Sequence, residues 1–226
     1  MSHLTEYGTD TTGDINLSVN QKAISPEYKT NKVFYAALFL LSGAGLIFAV
    51  FFDWPLIIFL LLQFGTLLLF FGIIYNRRDV QKKMALAKNV KTGFLAGIYA
   101  TAGYDMIRWL IVTVFHFKVR PFDTFRFFGQ MILNPAVDPG AAYAVGFFYH
   151  LINGITFAIA YFILFGGRHW LYGIAWAFVL EVLMLGVYPK FLNIETVMQE
   201  FTIVSCSGHL VYGTVLGLMN QYKFKK

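Results

Sequence analysis

The sequence predicts an all-α polytopic membrane bundle of six transmembrane helices, and three observations carry that prediction. The 226 residues are 58% hydrophobic and only 13% charged, with a mean hydropathy of +0.60, which is more apolar surface than one soluble domain covers. Six apolar runs, 34–52, 55–75, 93–117, 141–165, 170–188 and 201–219, are each about long enough to cross roughly 30 Å of hydrocarbon. Basic residues then divide by membrane side. Arg77, Arg78, Lys82, Lys83, Lys88 and Lys91 crowd one inter-helix segment, whereas the loops on the other side hold only Lys118, Arg120, Arg126 and Lys190. The positive-inside rule reads this asymmetry as N-in, C-in, with both termini cytoplasmic, in the cell's inner (plasma) membrane.

Along the chain, residues 1–32 are polar and lack the basic start and apolar core of a signal peptide, so they read as a disordered cytoplasmic tail. The transmembrane domain then runs over 33–226. Its first hairpin, 33–75, turns at Asp53-Trp54-Pro55, so short that its helices must be antiparallel neighbours. Gln63 and Thr66 are the only polar side chains in the middle of its second helix, and the pair reads as a scaffold. Between the third and fourth runs, Phe122, Phe125, Phe127 and Phe128 mix with Arg120, Asp123 and Arg126, punctuated by Pro121, Pro135 and Pro139. That chemistry suits a short interfacial helix or a partly re-entrant one.

The last four runs carry a faint internal repeat. Gly97-Ile98 is followed by Asp105, and Gly173-Ile174 is followed at the same spacing by Glu181. The next run in each case carries an alignable segment, His150-Leu151-Ile152-Asn153-Gly154 in one and His209-Leu210-Val211-Tyr212-Gly213 in the other. The spacing predicts two tandem hairpins, 93–166 and 169–220, related by an axis along the membrane normal, an arrangement found in transporters.

Counting inward at 1.5 Å per residue puts Arg108, His150, Glu181 and His209 at roughly 12–14 Å depth and Asp105 at about 18 Å. These are therefore expected to share one layer. Ser205, His209, Gly213 and Gly217 recur every four residues, as do Gly146, His150 and Gly154, so each histidine lies on a small-residue stripe that permits close helix contact. Asp105 and Arg108, at i and i+3, are placed to pair, and Asn153 lies one turn from His150.

Charge inside a bilayer is expensive and usually functional. The candidate binding residues are therefore Asp105, Arg108, His150, Asn153, Glu181 and His209, in a protein that binds or translocates a small solute or ion. The same residues are open to other readings. One is a satisfied polar core that only specifies packing, in an accessory subunit of a membrane complex or an oligomer. Another is a haem or metal centre on His150, His209, Glu181 and Asp105. A third is a lipid-modifying enzyme with a histidine base and Arg108 as electrophile, with Ser205-Cys206-Ser207 near His209. There is no nucleophile elbow, no HExxH pair and no glycine-rich phosphate loop. The net charge of +6 is explained by orientation in the lipid bilayer, so no nucleic-acid partner is expected. Cys206 is the single cysteine, which leaves no disulfide within one chain.

Overall fold

The computed structural model describes residues 26–76, 79–190, 192 and 194–224, at backbone level only for 26–31, 73, 74, 190 and 224. The described residues are helical almost throughout and contain no strand. Seven α-helices follow in order: α1 (Pro26–Phe52), α2 (Leu56–Leu69), α3 (Val80–Phe115), α4 (Asp123–Ile132), α5 (Pro139–Phe165), α6 (Leu171–Val187) and α7 (Met198–Phe224). A π-helical turn, Phe70–Tyr75, extends α2, and 3₁₀ turns at Tyr188–Lys190 and Glu195–Val197 lie between α6 and α7.

Three segments are long and apolar enough to cross a membrane: Lys32–Phe52, Pro139–Phe165 and Glu195–Lys223. Leu56–Gly72 and Leu171–Val187 are apolar but shorter. The 36-residue α3 has the length, but it carries lysines along its first turns and Asp105 and Arg108 further on.

Two boundaries differ from expectation. The tail assigned to 1–32 lies outside the described residues up to 25, and from Pro26 the chain is already helical. The cytoplasmic loop expected over 76–92 is mostly the first third of α3, which begins at Val80. Lysine, alanine, glutamine and leucine are good helix formers, and Leu86 is buried in a cluster with Tyr35 and Phe70. The lysines of that segment therefore decorate a docked helix.

Local chemistry explains the ends of the helices. Asp53 (φ 55°) and His116 (φ 52°) adopt the left-handed conformation that stops α1 and α3. Aspartate tolerates it better than most residues, so the Asp53-Trp54-Pro55 turn closes tightly. Asp138 caps α5 by accepting from the Ala141 amide at 2.9 Å, with Pro139 in the first turn where a missing N–H costs nothing.

α3 is the central helix, packing on α5 along one side and on α7 along another; α6 pairs with α7, and α1 with α5 and α2. Small residues set these crossings. A Cβ on Gly97 would strike the backbone of Gly154 and Ile155, and one on Gly173 would strike the backbone of Gly213 and Gly217. α4 packs deeply against α5, where Gly129 meets the Ala142 backbone and Gly146 meets the Phe125 backbone. Of the four phenylalanines expected at the interface, Phe125 and Phe128 are therefore buried inside the protein, while Phe122 and Phe127 are half-buried.

Polar clasps connect distant parts of the chain. Ser42 and Thr156 hydroxyls lie 3.3 Å apart, and the Tyr149 hydroxyl donates to the Ser42 carbonyl at 3.0 Å, joining α1 to α5. Glu200 accepts the Lys118 and Val119 amides at 2.6 and 3.1 Å and so fastens the α3–α4 link to the head of α7. At the other end, fully buried Asn220 donates to the Phe165 and Arg168 carbonyls and to the Tyr161 hydroxyl, and accepts the Gly167 amide. Gly167, at φ 83°, makes the α5–α6 turn possible.

Candidate functional site

The acids and histidines pair hairpin by hairpin. Asp105 on α3 meets His150 on α5, with Oδ2 and Nε2 3.2 Å apart. Glu181 on α6 meets His209 on α7, with Oε2 and Nδ1 2.6 Å apart. In each hairpin the acid lies two turns and the histidine one turn from a close glycine approach, Gly97 to Gly154 in one and Gly173 to Gly213 in the other.

The two pairs differ in how completely they are sealed. Glu181 is 1% exposed, and besides His209 it accepts from the Ser205 hydroxyl at 2.8 Å and the Cys206 thiol at 3.5 Å. The Ser205 carbonyl lies 3.1 Å from the same His209 Nδ1. With two oxygen acceptors around it, that nitrogen is assigned the hydrogen. The Asp105–His150 pair is more open, with side chains 18% and 15% exposed. His150 Nε2 is close to Asp105 but out of line for a hydrogen bond and has no aligned partner, so this contact is a close approach and not a hydrogen bond.

Arg108 is 3% exposed and already engaged. It donates to the Pro121 carbonyl at 2.5 Å and to Asp105 at 3.5 Å, and its guanidinium carbon lies 4.8 Å from the Tyr104 ring centre. It thus ties the α3–α4 link down from below, as Glu200 does from the side. Tyr104 touches both imidazoles, with ring centres 5.7 Å from His150 and 4.9 Å from His209.

A cavity of about 290 Å³ adjoins this layer. His150, Asn153 and His209 line it, while Asp105, Glu181 and Arg108 stand behind the lining. Each cavity-facing imidazole is therefore backed by a carboxylate, buried at Glu181 and half-buried at Asp105. The other walls are almost wholly apolar or aromatic, including Leu46, Phe128, Phe157, Leu180 and Leu183. α1, read from the sequence as scaffold, supplies one wall through Leu40, Gly43, Ala44, Leu46 and Ile47.

Among the described residues, Thr101 Oγ1, Arg108 Nε, His150 Nε2, Asn153 Oδ1 and Trp176 Nε1 are buried without a hydrogen-bond partner, and all of these residues except Arg108 line this cavity. Buried polar atoms are ordinarily satisfied, and each exception calls for a reason. Thr101, Tyr104 and Trp176 were not singled out from the sequence. A signal did exist for Thr101, which continues the four-residue stripe of Gly93, Gly97 and Asp105. Tyr104 and Trp176 have no such mark among so many aromatics.

The four candidate metal ligands do not converge on one point. Among the described residues no three His, Cys, Asp or Glu side chains stand close enough to hold a metal ion together. His209 Nδ1 is committed to Glu181. Ser205 and Cys206 both point at Glu181, so neither is arranged as a nucleophile activated by His209.

Comparison of the chain with protein-family models, curated proteins and solved structures gave no match.

Proposed function

We propose that this is an integral membrane protein of six spans, with both termini cytoplasmic, that binds a small neutral molecule in the cavity beside its acid–histidine pairs. In this reading α1, α2 with its π-helical extension, α3, α5, α6 and α7 cross the bilayer, while α4 lies in the outer part of the bundle. The equivalent Gly–Gly crossings and acid–histidine pairs of α3/α5 and α6/α7 support an origin by hairpin duplication. Cysteine labelling tests the topology. In a Cys206→Ser background, a cysteine at Gln81 should react with a membrane-impermeant maleimide only after lysis, and one at Arg120 should react in intact cells. The reverse pattern would overturn N-in, C-in.

The observation that carries the binding reading is the set of unpartnered polar atoms, contributed by α3, α5 and α6, around one apolar cavity. A purely structural polar layer would satisfy them within the protein, as Glu181 does its neighbours. Ion passage is the weaker reading, because the carboxylates and Arg108 stand behind the lining and the cavity wall is almost wholly hydrocarbon. Carboxylate-backed imidazoles at the wall would let the site exchange a proton with what it holds.

Native mass spectrometry on protein released from its own membrane into mild detergent tests binding. The expected result is an adduct of a few hundred daltons, lost in Asn153→Leu and kept in the surface variant Lys223→Gln. Wild type at its apo mass, together with no thermal shift from a panel of neutral hydroxyl- and carbonyl-bearing ring compounds, would sink the reading.

A further inference from the structure

We propose that the molecule bound in this cavity comes from the hydrocarbon phase, passing sideways between α1 and α6, and that its class is a neutral lipid-soluble ring bearing carbonyl or hydroxyl groups, as in quinones and quinols. The proposal rests on the binding reading above and adds to it a route and a chemical class.

The route follows from which helices close the cavity and which do not. α1 packs on α2 and α5, and α6 on α7, so the two helices that flank the cavity scarcely touch one another. Along that gap the lining residues Val179 and Leu183 are 56% and 51% exposed. They are apolar and sit on the face of α6 that also bears exposed Val182 and Phe178. In a bilayer this is a lipid-facing surface, so the mouth opens on acyl chains.

Both ends are shut. At the outer end Phe128, Val187 and Tyr188 are buried, beneath the α3–α4 link that Arg108 and Glu200 hold in place. At the inner end Trp176 packs with Tyr161 and Phe165, next to the turn clasped by Asn220. A solute arriving from water would have to cross one of these plugs, whereas one dissolved in the membrane meets an open side.

The class follows from the lining. No acidic, lysine or arginine side chain lines the cavity, and Arg108 stands behind the lining with its terminal nitrogens on Pro121 and Asp105. A charged ligand would therefore be buried without a counter-charge. The indole N–H of Trp176 can only donate, the Asn153 oxygen can only accept, and the Thr101 hydroxyl can do either. A carbonyl answers the donors and a hydroxyl answers the acceptor. Tyr104, Phe128, Phe157 and Tyr212 offer faces and edges to a flat ring. The volume, about 290 Å³, is near the lower end of the roughly 300–1,000 Å³ usual for small-molecule pockets. It accommodates a substituted ring, with any tail left in the gap.

Fluorescence of Trp176 reports on this site directly. The chain carrying Trp54→Phe, Trp109→Phe and Trp170→Phe, reconstituted in phosphatidylcholine vesicles, is titrated with a decyl-substituted benzoquinone, an indole quencher. Saturable quenching is expected. A parallel chain keeping only Trp109, which is 54% exposed, should show the unsaturable quenching of a probe merely dissolved in lipid. Ala44→Phe and Val179→Phe, singly and together, narrow the gap and should raise the half-quenching concentration at least tenfold, and folding is checked by thermal unfolding of each. A sulfonated quinone confined to water should neither quench nor compete. If the decyl quinone saturates Trp176 while both single mouth variants bind as wild type, or if the sulfonated quinone competes equally, the sideways route is overturned and the binding site stands. An adduct in mass spectrometry without saturable quenching overturns the chemical class alone. Absence of both overturns the proposal together with the reading beneath it.

Discussion

Replacing Gly146 with leucine is expected to unseat α4 and cost the protein about 3 kcal/mol or more, the upper range for overpacking of a well-filled site. The obstacle is backbone. A Cβ at Gly146 would run into the carbonyl, carbon and Cα of Phe125, which cannot rotate away as a side chain can. Alanine should show most of the effect, because the first carbon is the one that collides. With α4 displaced, Phe125 leaves the face of His150, whose ring centre is 5.0 Å away, and Phe128 leaves the outer end of the cavity. Thermal unfolding in detergent checks this, with Gly65→Ala as the control. Nothing lies within 4 Å of a Cβ there, so helix propensity alone should act, giving a neutral result or a gain of up to about 1 kcal/mol. A Gly146→Leu protein as stable as wild type would mean that α4 does not sit where it is described.

The second large effect is expected at Glu181. Changing it to leucine removes the acceptor shared by His209, Ser205 and Cys206 and strands two buried polar groups and the half-buried thiol. Breaking a buried pair by deleting one partner costs about 3–5 kcal/mol in soluble proteins. Single interhelical hydrogen bonds in membranes are worth only about 0.6–2 kcal/mol, so a loss near 3 kcal/mol is expected for the three together. Glu181→Gln keeps an oxygen for Ser205 and should lose about 1 kcal/mol. Asp105→Asn should fall below both, since its pair is partly exposed and loosely aligned. Equilibrium unfolding in mixed detergent ranks the three variants. Equal losses at Glu181 and Asp105 would deny the distinction between a sealed structural pair and an open cavity-facing one.

Much of this arrangement was legible in the chain. Apolar runs mark the helices, and the acid and histidine of each expected hairpin lie close to one another in the fold. What escaped was non-local or lacked a chemical mark. Glu200 reaches Lys118 across 82 residues of sequence, and Asn220 reaches Gly167 across 53; an isolated polar residue in a span gives no hint of such a partner. The lysines before Gly93 read as a loop because charge obscured the period of a helix resting on Leu86. The cavity was invisible for the opposite reason. Its walls are ordinary leucines, valines and phenylalanines, and only the folded geometry reveals that α1 and α6 stand apart.

Asn220 carries an implication for how the molecule is made. The carbonyls and amide at the α5–α6 turn find their partner on the last turns of α7, so that turn cannot settle until the final helix has been translated and inserted. Until then its polar groups must stay hydrated, since an unmet backbone group within hydrocarbon costs several kcal/mol. Arrival of α7 withdraws them from water, and in the same movement it brings His209 to Glu181. One late helix thus completes both the latch at the α5–α6 turn and the second acid–histidine pair, and a nascent chain halted before His209 would carry neither.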